Sequence, residues 1–141
     1  MHKTERRNDR GITLIELLVV MVIIAMFATL VGARLFKSVD KAKQVQAKTQ
    51  IQEFESVLDM FRLDVGRYPT TDEGLQALRT KPANVDNWDG PYLKKDLVPD
   101  PWGHPYVYRC PGQHGDFDLA SFGMDGQEGG DGNDMDIVSW K

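Results

Sequence analysis

The segment Ile12–Ala33 constrains this chain more than any other. Behind a polar, basic leader ending in Gly11, about 22 residues run almost wholly apolar, roughly 33 Å as a helix. That length crosses the hydrocarbon core of a bilayer. A secretory signal has a shorter apolar core and a small-residue cleavage site after it, and a buried core helix does not need so long an unbroken run. A membrane span fits best. One residue is out of place in it: Glu16, a carboxylate one turn in, costs at least a few kcal/mol at membrane depth unless it is partnered or near the interface.

Lysine and arginine flank both ends of the span, with Lys3, Arg6, Arg7 and Arg10 before it and Arg34, Lys37, Lys41, Lys43 and Lys48 after it. The positive-inside rule therefore does not decide orientation. The second basic set suits anionic lipid headgroups, an acidic face of another subunit, or plain solvent. Nucleic acid is a poor partner, since the net charge of the chain is −4.

From Ala33 to Val65 there is no proline, and apolar residues recur at Leu35, Val39, Ala42, Val45, Phe54, Val57, Leu58, Phe61 and Val65. That spacing of three and four predicts an amphipathic helix, closed by Gly66 and Pro69. One helix is thus expected from about Ile12 to Val65. Beyond it, Thr70–Leu78 reads as a short capped helix. His104–Arg109, Asp116–Phe122 and Ile137–Trp140 read as short strands. A small antiparallel sheet laid on the long helix is the economical arrangement. Cys110 is the chain's one cysteine, so no intramolecular disulfide can staple this domain and a metal is the alternative to look for. Cys110 itself reads as a half-buried small residue.

Between the last two expected strands, residues 123–136 alternate carboxylates with glycines. Calcium takes six to eight oxygens from carboxylates, carbonyls and water, and this loop can supply them. It lacks the ligand order of an EF-hand, and its single Gly-Gly-x-Gly-x-Asp match at Gly129–Asp134 is short of a β-roll repeat. On chemistry alone, a calcium site and a flexible acidic loop both remain open. No nucleotide loop, Ser/His/Asp arrangement or zinc spacing is present, so the chain reads as a non-enzyme.

The junction Gly11-Ile12-Thr13-Leu14-Ile15-Glu16, behind a basic leader and ahead of an apolar run, resembles the type IV prepilin signature. Gly66-Arg67-Tyr68-Pro69-Thr70-Thr71, Gly74–Leu78 and Asp100-Pro101-Trp102-Gly103-His104-Pro105-Tyr106 are similar to the major pseudopilins of type II secretion systems. The resemblance covers Gly11–Trp140. It implies an α+β fold in which a long N-terminal helix, membrane-spanning in its first half, packs on a small antiparallel sheet with a calcium-stapled loop. The divisions that follow are a leader (1–11), a transmembrane half-helix (12–33), an amphipathic half-helix (34–66) and a periplasmic globular domain (67–141). Prepilin peptidase would cut after Gly11 and N-methylate Ile12, where relatives usually carry phenylalanine. Glu16, then fifth in the mature chain, would pair with the N-terminal ammonium of Ile12 in a neighbouring subunit and set axial register.

The same resemblance places calcium on Asp125, Asp136 and Asp134, with the carbonyl of Phe122 and one near Asn133, and leaves Glu128 and Asp131 solvated. It implies a single-pass inner-membrane protein with its C-terminal domain in the periplasm. The expected partners are copies of itself, minor pseudopilins, an inner-membrane assembly platform, prepilin peptidase and membrane lipid. The filament would drive folded exoproteins across the outer membrane. The alternatives are a type IV pilus subunit for adhesion, motility or DNA uptake, which usually carries a disulfide this chain cannot form, and a monomeric membrane-anchored calcium module.

Overall fold

A computed structural model describes residues 11–141, with Ala33 and Arg34 described in backbone only. The leader expected at 1–11 therefore lies, apart from Gly11, outside the described residues. Two compact units divide the chain, Met1–Ser38 and Val39–Lys141, and the boundary falls inside the long helix α1, Leu14–Val65.

In the first unit α1 begins two residues later than expected. The Thr13 carbonyl is the first acceptor, taking Glu16 N–H at 3.1 Å and Leu17 N–H at 3.3 Å, so Thr13 is the cap and Gly11–Thr13 stay non-helical. The C-terminal end matches its signals. Gly66 takes φ 86°, a left-handed value open to glycine, and its N–H returns to the Arg62 carbonyl at 2.8 Å.

The second unit is built on one stripe of α1. Ala47, Ile51, Phe54, Leu58 and Phe61 are buried at alternating spacings of four and three, against Leu75, Leu78, Tyr108, Leu119 and Ile137. Phe54 meets the Tyr106 ring edge-on at 5.2 Å, and Phe61 meets Tyr92 at 5.7 Å. This corrects the expected apolar set. Leu35, Val39, Ala42 and Val45 are exposed, because they lie off the stripe when it is continued back from Phe54. The residues that do continue it are Gln44 and Asp40.

The sheet has strand order β1 (Val107–Arg109), β2 (Asp118–Ser121), β3 (Ile137–Val138), antiparallel throughout, with Tyr108 opposite Leu119 and Ser121 opposite Ile137. All three strands are shorter than expected. Pro105 has no N–H for a ladder, and His104 is diverted into the turn before it. There the buried Asp100 carboxylate accepts from His104 N–H at 2.8 Å, Trp102 N–H at 3.1 Å and Ser121 Oγ at 2.5 Å. Strand β2 is buried along its whole length, so its polar members need partners. Ser121 has Asp100; Asp118 accepts from the backbone N–H groups of Gln113 and His114. His114 in turn stacks on Trp140 at 4.1 Å.

The expected helix at 70–78 is a capped turn followed by a 3-10 helix over Leu75–Leu78. Glu73 Oε2 accepts from Thr70 N–H at 2.8 Å while Thr70 Oγ1 accepts from Glu73 N–H at 3.3 Å, a reciprocal capping box. Both Glu73 oxygens also take the Arg67 guanidinium, at 2.7 and 2.8 Å. The Arg67 hydrogen bonds, opposed by partial burial and helped by Thr70, hold the Glu73 carboxyl at about 2. A depressed carboxyl stabilises the fold above its unfolded value near 4.5, and that contribution disappears as pH falls toward 2. Urea unfolding should therefore find Glu73→Gln about 1 kcal/mol less stable near neutral pH, with the difference from wild type closing between about pH 4.5 and 2.

Candidate functional site

Two stretches carry the candidate chemistry, one in each unit. In the first, every described residue from Gly11 to Val31 is exposed. Ile12 is 72% exposed, and Leu14, Met21, Met26 and Phe27 all exceed 60%. Apolar surface so extensive and so fully uncovered needs a membrane or a partner to remove it from water. The Gly11–Ile12 bond lies in exposed, non-helical backbone, accessible to a processing enzyme. Glu16 falls in the first turn of α1, three residues after Thr13, where a carboxylate also complements the helix dipole. That placement gives Glu16 a local role beside any role between subunits.

In the second unit the aspartate loop is folded by glycines. Gly123, Gly126, Gly129, Gly130 and Gly132 all take positive φ. A Cβ on Gly123 would lie 2.8 Å from the Asp134 carbonyl carbon, and one on Gly130 would lie 2.6 Å from the Asp134 carbonyl oxygen. Met124 N–H donates to the Asn133 carbonyl at 3.0 Å, which closes the loop at its neck. Two contacts dock the loop on α1: Gln44 Nε2 to the Gly132 carbonyl at 2.6 Å, and Asn133 Nδ2 to Asp40 Oδ2 at 2.8 Å. His104 supports it from the other side, with its ring against Gly126 and Nδ1 3.2 Å from the Gly123 carbonyl. Asp40 and Gln44 were not singled out from sequence, whereas His104 stood in the Asp100–Tyr106 motif. The signal for the first two was the continuation of the Ala47–Phe61 stripe by polar residues.

The five expected metal ligands are placed unevenly. Asp136 Oδ2 accepts from Gly129 N–H at 2.8 Å, while its Oδ1 is buried with no hydrogen-bond partner. An orphaned carboxylate oxygen among glycines and carbonyls has the chemistry a hard cation takes. Asp125 Oδ1 instead accepts from Gln127 N–H at 3.1 Å. Asp134 is half-buried in a 3-10 turn over Gly132–Asp134. The Asn133 carbonyl is engaged by Met124, and Phe122 is half-buried at the end of β2. Among the described residues, no three His, Cys, Asp or Glu side chains gather as a metal cluster. The unpartnered Asp136 oxygen is one donor of the kind calcium takes.

The chain matches the model of the type II secretion system (T2SS) protein G family over residues 34–140, and that of the prokaryotic N-terminal methylation motif over residues 6–32. The chain belongs to the type II secretion system protein G family. Type II secretion system core protein G of Pseudomonas aeruginosa is 48% identical, covering 96% of this chain and 98% of that protein; the Vibrio cholerae protein of the same name is 46% identical over 95% and 93%. The crystal structure of the major pseudopilin from the type 2 secretion system of enterohaemorrhagic Escherichia coli aligns with a TM-score of 0.64 at 41% identity, over 75% of this chain and 93% of that one. These relatives favour the secretion reading over the pilus-subunit alternative. The long helix on a three-stranded antiparallel sheet is the pseudopilin fold, and the family is one of structural subunits.

The loop geometry makes a direct test. Gly130→Ala must push its Cβ into backbone at a φ of 92°, so it should destabilise the second unit by about 1–3 kcal/mol. Gly132→Ala, with nothing within 4 Å of its Cβ and only the strain of φ 63°, should cost about 1 kcal/mol. Thermal melts of the two variants check the order.

Proposed function

We propose that this chain is the major subunit of a type II secretion pseudopilus, stored in the inner membrane with residues 67–141 in the periplasm and assembled there into a filament that drives folded exoproteins across the outer membrane. The observation that carries the reading is the wholly exposed apolar segment with Glu16 as its one carboxylate, set behind an accessible Gly11–Ile12 bond. Prepilin peptidase cuts that bond and methylates the new N-terminus at Ile12. A span that stays attached after cleavage serves as anchor before assembly and as packing surface after it. Helices packed through this segment bury its apolar side chains against one another. The Glu16 carboxylate then meets the Ile12 ammonium of the next copy, and a mispaired register leaves both charges in an apolar medium. Minor pseudopilins and an inner-membrane assembly platform are the further partners, and no step calls for catalysis by this chain.

Calcium, in this reading, is held at Asp136, with Asp125, Asp134 and the carbonyls of Phe122 and Asn133 as the other candidate donors. It supplies an electrostatic cross-link within a loop that has no disulfide. Asp136 orients through Gly129, Asn133 holds the loop to Asp40, and the glycines let the backbone close around the site.

The mature protein should begin at Ile12, with a mass that fits cleavage after Gly11 plus one methyl group. An unprocessed Met1 terminus in cells with active prepilin peptidase overturns the reading. Glu16→Ala should be processed and inserted yet yield no filaments when overexpressed, whereas undiminished filaments remove the register mechanism. Circular dichroism of the same variant separates loss of the helix start from loss of pairing. EGTA should lower the melting temperature of the protein, and Asp136→Asn should abolish that shift; an unchanged melt with EGTA removes the calcium site.

A further inference from the structure

A groove of about 310 Å³ lies within the second unit, between the first turns of α1 in that unit and the C-terminal strand. Its floor is apolar: Val45, Met135 and Val138 line it, with Val45 60% and Met135 47% exposed. Three lysines also line it, Lys41, Lys48 and Lys141, the last beside its own α-carboxylate. None of the three is ion-paired to a carboxylate among the described residues. The acidic side chain that lines the groove, Asp136, is turned into the aspartate loop, with Oδ2 on Gly129 N–H and Oδ1 buried. Gln44, also in the lining, is committed to the Gly132 carbonyl. The groove therefore offers a cationic rim over an uncovered apolar floor.

We propose that this groove binds an anionic phospholipid, its phosphate on the lysine rim and the start of its acyl chains over Val45, Met135 and Val138. A small soluble anion has no use for the apolar floor, and an uncharged apolar ligand has none for Lys41 and Lys48. An anionic amphiphile uses both. Chain connectivity supplies the encounter: Lys41 follows Ala33, the last residue of the apolar segment, by eight residues, a tether of at most about 29 Å in any conformation. The inference rests on the membrane-anchored reading and adds to it a specific headgroup site on the folded unit. Lipid held there gives the stored subunit a second hold on the bilayer, one that must be released when the subunit leaves it.

The test uses the full chain in zwitterionic detergent with its methionine methyls carbon-13 labelled, and Met135→Leu assigns the reporter. Dihexanoyl phosphatidylglycerol should shift the Met135 methyl saturably, while dihexanoyl phosphatidylcholine should not. Lys41→Gln with Lys48→Gln should weaken the response at least about tenfold. Lys94→Gln with Lys95→Gln, two exposed lysines outside the groove, should leave it unchanged. An equal response to phosphatidylcholine overturns the proposal, as does equal weakening by the control pair. Glycerol 3-phosphate binding as well as the lipid would mark a plain anion site. A shift that follows protein concentration without lipid would mark a second copy of the chain as the occupant. Sedimentation of the protein with membranes is scored separately, so failure of the anchor and failure of the groove are distinguishable.

Discussion

The globular unit depends on the burial of one stripe of α1, from Ala47 to Phe61. Ile51, Leu58 and Phe61 are almost wholly removed from water, and each such side chain contributes on the order of 1.5–3 kcal/mol. The three strands are too short, at two to four residues, to hold together by their own ladders. They persist because Tyr108, Leu119 and Ile137 lie against the helix, and because β2 is covered on its second face by turns that satisfy Asp118 and Ser121. The sheet is thus a consequence of the helix. Any change that rotates the buried stripe removes the surface on which the strands are ordered.

The stripe does not stop where its apolar residues stop. One turn earlier Gln44 occupies the same face, and Asp40 occupies it one turn before that; both reach loop 123–136 through hydrogen bonds. The face therefore changes from hydrophobic to polar without changing direction, and it holds two different things. Below, it orders a core; above, it orders a loop with almost no core of its own. That loop contains five glycines at positive φ, each entropically costly to fix, and its side chains are mostly exposed. Hydrogen bonds to α1, the His104 ring and the neck bond between Met124 and Asn133 offset part of that cost. The orphaned Asp136 oxygen is where the loop remains chemically incomplete.

How much of this was legible in the sequence varied with the range of the interaction. Local rules performed well. The length of the apolar run, the Gly66 stop and the Thr70-x-x-Glu73 box are set by residues a few positions apart, and each was readable. The buried stripe was half readable. Phe54, Leu58 and Phe61 announced it, but its upstream part is a small Ala47 and an Ile51 flanked by glutamines, while the more conspicuous Val39 and Val45 lie on another face. Asp100 is fully non-local in effect: its partners Trp102 and His104 are close, but Ser121 is brought to it only by the sheet. Strand lengths failed for the same reason, because Pro105 and the Asp100 turn override the alternation of aromatic residues after His104. The aspartate loop was legible as composition, yet which carboxylate is left without a partner depends on the folded backbone.

The two units resolve one physical difficulty in opposite ways. In the globular unit, most polar groups that enter the core are met by partners from the same chain: Asp100 by Ser121, Asp118 by the 113–114 turn, Trp88 Nε1 by the Ala77 carbonyl, with Trp102 Nε1 and Asp136 Oδ1 left over. In the N-terminal unit, the described apolar residues have nothing of their own chain to cover them, and Glu16 sits among them. A chain that satisfies one half of itself internally and leaves the other half exposed is complete only in contact with something else. A bilayer supplies cover for leucine, isoleucine and valine but no partner for a carboxylate below the headgroups. A bundle of like helices supplies both, provided that each carboxylate finds a cation at a fixed height. In the proposed function, Glu16 gives the assembled bundle an advantage over the bilayer that a wholly apolar segment would lack.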